Sequence, residues 1–248
     1  MEDHAYLGEL VAAIAYLTAG VRLLRLSLRT GEAPERLLGV SFALMGTSYL
    51  FYTIPVIVGI ESLWTPFTFA GRITFDIGVV PFALFTRVVF RRDDSWAAWL
   101  VYGCAVFLSL GVIFSLAAGD AEGMTLSNWW FWLEWVGYAV PSAWMSVEAF
   151  LAYAGAKKRK QVGLCGALVA NRFLLWAFHG LFGVAACLSV ILMYSEYSTT
   201  QTFSAWTDRL LGGLEMGSVA TLWLVFFPPA FYRRWIKGAA PAATAEEG

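Results

Sequence analysis

The sequence predicts an all-α membrane protein: a bundle of seven transmembrane helices, with the N-terminus outside and the C-terminus in the cytoplasm. Three observations predict it. Of 248 residues, 59% are hydrophobic and only 14% charged, where a soluble domain carries about 25% charged residues. Seven apolar runs follow one another, each long enough at about 1.5 Å per residue to cross a hydrocarbon core of about 30 Å. The basic residues collect in every second connection, as the positive-inside rule requires of a chain that crosses an odd number of times.

The runs cover approximately residues 5–28, 37–60, 67–90, 96–118, 129–156, 164–194 and 206–227. They lack the polar–apolar alternation of barrel strands, so each is a helix that satisfies its own backbone. The start, Met1-Glu2-Asp3-His4, is acidic where a cleaved leader would be basic, so the first run reads as a retained signal anchor. Arg22, Arg25, Arg29 and Arg36 flank the first connection, Arg87, Arg91 and Arg92 the third, and Lys157 to Lys160 the fifth. Arg233, Arg234 and Lys237 follow the last run. These are fourteen of the 17 Lys and Arg. Trp64, Trp129, Trp130, Trp132 and Trp206 mark an outer interface, and Trp96, Trp99 and Trp235 an inner one.

The Pro228-Pro229 pair is expected to break the seventh run and leave Ala230 to Lys237 as a short interfacial helix, while Pro55, Pro81 and Pro141 mark hinges. Residues 1–237 form one transmembrane domain, and 238–248 read as a disordered cytoplasmic tail. A parallel 3+1+3 repeat would place Glu9 of the first span opposite Glu134 of the fifth in the alignment, and Asp76 of the third opposite Glu215 of the seventh. The second and sixth spans align poorly.

Composition also excludes. A net charge of −1 gives no footprint for nucleic acid. Cys104, Cys165 and Cys187 form neither a disulfide framework nor a Cys-x-x-Cys motif, and two histidines, His4 and His179, are too few for a haem or multi-histidine centre. No catalytic motif is present, so neither an enzyme nor a metal or cofactor is expected.

Ionisable residues inside a bilayer cost about 2.5–3.5 kcal/mol each and so need a reason. Depth along the helices separates two groups. The outer group is Arg72, Asp76 and Glu215, with His179 close enough to join from below. It reads either as a structural ion pair beside a neutral acid or as a proton- or ligand-binding site between spans 3, 6 and 7. The inner group is Glu148, Asn171 and Arg172; Glu148 and Arg172 lie at equal depth on consecutive helices, which predicts an ion pair, either a clamp or a gate. Glu9 and Glu134 lie so near the outer surface that both are expected to reach water.

Arg72-Ile-Thr-Phe-Asp76 with Pro81 below it resembles the arginine–aspartate–proline helix of microbial rhodopsins. The seventh span has no lysine to carry a Schiff base, so no covalent retinal is expected. Pro229-Ala-Phe-Tyr232 resembles the proline-x-x-tyrosine end of receptor seventh helices, and the Pro-Gln pair of many three-one-three transporters is missing. No family follows from these fragments. The leading expectation is a small-solute or proton-coupled transporter of the plasma membrane with an intramembrane acidic site. A seven-helix sensor of a non-covalent ligand is the alternative, and a membrane assembly protein the second. The partners expected are the lipid bilayer, a small molecule or ion, and a further copy of the chain or another membrane protein.

Overall fold

The computed structural model describes residues 5–120, 126–200, 202 and 204–237. The expected tail, 238–248, and the acidic start with His4 lie outside the described residues. Eight α-helices follow in order: α1 (Ala5–Thr30), α2 (Ala33–Val58), α3 (Trp64–Phe90), α4 (Ser95–Ala117), α5 (Trp129–Gln161), α6 (Ala167–Thr200), α7 (Ala205–Phe226) and α8 (Ala230–Lys237). A 3-10 turn, Glu61–Leu63, leads into α3.

The helices are set by local signals as well as by apolar length. Pro34 starts α2, where its missing N–H costs nothing, and Gly59 closes it in the left-handed region at φ 69°. Ser204 caps α7 by accepting from the Thr207 backbone N–H at 3.3 Å. The Thr207 hydroxyl donates to Glu196 at 3.2 Å, tying the end of α6 to the start of α7. Pro55, Pro81 and Pro141 sit inside α2, α3 and α5, which continue through them. Only the Pro228-Pro229 pair ends a helix, and the short helix after it has the bounds expected from the sequence.

Consecutive helices pack on one another from α1 to α7, and α1 packs on α7, so the bundle closes into a ring. Across it α3 touches α5, and α8 rests on α6. The α1–α2 seam is tight: a Cβ on Gly20 would lie 2.7 Å from the Ala43 backbone nitrogen, so only glycine lets these backbones approach so closely. At the centre Phe42 and Met145 are wholly buried, with Leu222, Tyr16 and Trp176 beside them. The outside is apolar too: Leu28, Ile57, Trp99, Tyr102, Leu188 and Trp206 are exposed. A protein apolar inside and out belongs in lipid.

Among the described residues six helices are long and apolar enough to cross a membrane, within Leu7–Thr30, Ala33–Val58, Glu61–Phe90, Ser95–Ala117, Ala167–Thr200 and Ala205–Phe226. The chain is thus a multi-pass, all-helical membrane protein. The expected fifth span, α5, is 33 residues long but falls outside this set. It carries two acids, Glu134 and Glu148, and ends in a basic cluster.

Candidate functional site

Glu9, Asp76, Glu134 and Glu215 lie toward the end of the bundle opposite the basic clusters. Arg72 projects from α3 into the ring and forks onto Glu134 of α5: its Nε donates to Oε2 at 2.7 Å and its Nη2 to Oε1. Both side chains are about 5% exposed. A bidentate guanidinium–carboxylate pair of this kind fixes orientation as well as charge. One turn deeper, Asp76 Oδ1 accepts from the Tyr138 hydroxyl of α5, while its Oδ2 is buried with no hydrogen-bond partner. Arg72 and Glu134 lie within electrostatic reach of Asp76.

Glu134 corrects an expectation: it does not reach water. It is buried because α4 makes room for it. Gly111 faces it, and a Cβ there would lie 2.4 Å from Glu134 Cγ. The sequence held one signal of this fit. Gly111 lies six residues before the end of α4 and Glu134 five after the start of α5, at one level on neighbouring helices.

Glu215 belongs to a different neighbourhood. It faces the Tyr49 hydroxyl of α2, with Glu9 of α1 and Asp208 nearby. Glu9 Oε2 is buried without a hydrogen-bond partner. No Lys, Arg or His forms an ion pair with Glu9 or Glu215 among the described residues. The expected single outer group is therefore two. Asp76 sits with Arg72, Glu134 and Tyr138 on the α3–α5 side, and Glu215 sits with Glu9 and Tyr49 on the α1–α2–α7 side. The rings of Tyr138, Phe75 and Tyr49 lie between them in edge-to-face contact, centroids 5.2 and 6.4 Å apart.

His179 joins neither acid group. Its Nδ1 is 2.9 Å from Ser218 Oγ, which is 3.4 Å from the Tyr16 hydroxyl. The rings of Tyr16, Phe42, Phe82 and Trp176 surround it at centroid distances of 5.5 to 6.4 Å. The three-residue link joins α6, α7 and α1 under the Glu9–Glu215 neighbourhood. Neither Tyr16 nor Ser218 was singled out by the sequence, because one Tyr and one Ser on apolar helices carry no pattern.

The inner group is also rearranged. Glu148 does not pair with Arg172. Its Oε1 accepts from Arg91 Nε at 2.7 Å and from Trp144 Nε1 at 3.2 Å. Trp144 and Glu148 are one turn apart on the face of α5 turned toward the start of α4, where the Trp96 ring lies 5.7 Å from that of Trp144, tilted by 56°. The reason is rotation about the helix axis. Arg172 leaves α6 in another direction, exposed beside the α7–α8 junction, while Asn171 donates to the Tyr232 hydroxyl of α8 at 2.9 Å.

Among the described residues no cluster of His, Cys, Asp and Glu could hold a metal ion. No family model, curated protein or solved structure matches the chain.

Proposed function

We propose that the protein is a proton-coupled carrier for a small solute, with seven spans, its acidic end outside and its basic end in the cytoplasm. The observation that carries this reading is the acid neighbourhood at Glu9 and Glu215. Two half-buried carboxyls lie within electrostatic reach of each other with no paired cation among the described residues, and one oxygen, Glu9 Oε2, is buried without a partner. Such groups are expensive in a bilayer unless they bind a proton or a cation, and that exchange is what a coupled carrier uses.

The seventh span is α5. Its packing between α4 and α6 in a closed ring supports a full crossing, and its acids turn inward onto Arg72 and Arg91 rather than toward lipid. The alternation of basic connections supports the orientation. The 3+1+3 repeat belongs to the same proposal. In that repeat α1 corresponds to α5 and α3 to α7, so the α1–α7 acid pair, Glu9 and Glu215, answers to the α5–α3 pair, Glu134 and Asp76. Each pair lies within electrostatic reach across a helix contact.

The test uses purified protein in liposomes that hold a pH-sensitive dye, challenged with amino acids, hexoses and inorganic cations in turn. At least one solute moves protons with it in the wild type, and Glu215→Gln and Glu9→Gln abolish that movement. Absence of proton movement with every solute overturns the reading.

A further inference from the structure

At the basic end, α1, α6, α7 and α8 border an open cavity of about 370 Å³. Three guanidinium groups line it, Arg22 from α1, Arg172 from α6 and Arg233 from α8, with Asn171 and Tyr232 between them and no carboxylate in the wall. None of the three arginines forms an ion pair among the described residues. The wall is fixed rather than loose: the Asn171–Tyr232 hydrogen bond pins α8 to α6, and the Arg22 guanidinium lies 4.7 Å over the Phe227 ring. Three like charges around one cavity repel one another, so an anion there lowers the energy of the arrangement.

The shape identifies the anion. Arg22 and Phe227 also line a second, larger cavity of about 670 Å³ that runs along α1. Its wall combines apolar Leu17, Val21, Leu26 and Phe227 with basic Arg22, Arg25 and Arg29. Arg22 lies eight residues before the end of α1, about 12 Å along the helix. A free anion has no use for an apolar groove at that depth. A lipid with one chain in the groove and its phosphate among the arginines fills both. We propose that these joined cavities bind one anionic phospholipid, its phosphate held by Arg22, Arg172 and Arg233 and an acyl chain laid along Leu17, Val21 and Phe227. The site is independent of the carrier reading and needs only that the chain is a membrane protein.

Native mass spectrometry of the purified full chain tests it, with phosphatidylglycerol and phosphatidylcholine as probes and inorganic phosphate as competitor. Phosphatidylglycerol is expected to bind with 1:1 stoichiometry and about tenfold or more in preference to phosphatidylcholine, because both carry a phosphate monoanion but the fixed positive charge of choline is repelled by the three guanidinium groups. Arg22→Gln with Arg172→Gln weakens it about tenfold or more. Arg159→Gln, which removes an exposed charge from the end of α5, changes it less than about twofold, as a rim charge outside the site should. Should the double variant fail to fold, Arg233→Gln, exposed on α8, reports the same loss in smaller measure. Equal binding of the two lipids, or equal loss in Arg159→Gln, overturns the site. Displacement of the lipid by inorganic phosphate at equal concentration overturns the lipid assignment in favour of a free-anion site.

Discussion

The two acid pairs at the end of the bundle away from the basic clusters differ in one respect. On the α3–α5 side the acids have a cation: Arg72 forks onto Glu134, and Asp76 takes a hydroxyl from Tyr138. On the α1–α7 side, among the described residues, they have none. The first arrangement satisfies its charge internally and ties two helices, so it holds the ring together. The second has no such partner, and in the proposed carrier it is the site that exchanges a proton or cation. Similar residues thus form a fastener in one half and the proposed exchange site in the other, and the neighbouring cation makes the difference.

Removing Arg72 should cost most, because it strands Glu134 in a dry interior. Arg72→Gln is expected to lower stability by about 3–5 kcal/mol, and adding Glu134→Gln should recover a large part of it. Denaturant or thermal unfolding in detergent reads both changes; a fully additive double variant would mean that the fork is not the fastener. Gly111→Val comes next. The added carbons push Glu134 off Arg72, at a cost of about 1–3 kcal/mol, and the loss shrinks when Glu134 is also shortened to Ala. In the other half Glu215→Gln should shift stability by less than about 1 kcal/mol, within the range of a substitution that breaks no paired charge, while abolishing proton-coupled movement. If its unfolding shift matched that of Arg72→Gln, the contrast between the two halves would disappear. The smallest effect is at the inner clamp. A double-mutant cycle should show coupling between Arg91 and Glu148 and none between Arg172 and Glu148, measured as departure from additivity in the same unfolding assay.

The clamp also shows what a sequence can and cannot carry. Apolar runs located every long helix to within a few residues, and the Pro228-Pro229 break gave α8. Distance along a helix is a sum of equal steps, so a sequence can place Glu148 and Arg172 at comparable levels. Direction around a helix is not recoverable in that way. Glu148 had bases at similar depth on two neighbouring helices, and the turn of α5 that carries Trp144 toward Trp96 selects Arg91. The same ambiguity split the outer group, since Asp76 and Glu215 agree in depth and differ in the neighbours they face. Glu134 was misplaced for another reason. Nearness to an interface does not by itself give access to water: the small Gly111 on α4 lets the acid lie under cover. The Tyr16–Ser218–His179 link was invisible because it joins single polar residues from three distant stretches of chain.

The aromatic packing about His179 has an electrical consequence. Tyr16, Phe42, Phe82 and Trp176 close on that ring from four sides, below the Glu9–Glu215 neighbourhood and above the arginine-lined cavity. Water cannot carry ions through such packing, so the ring lies in a layer of low dielectric. A charge carried across the whole membrane does work of about 2.3 kcal/mol per 100 mV. If the proposed carrier moves net charge past this layer, its turnover should speed or slow with membrane potential.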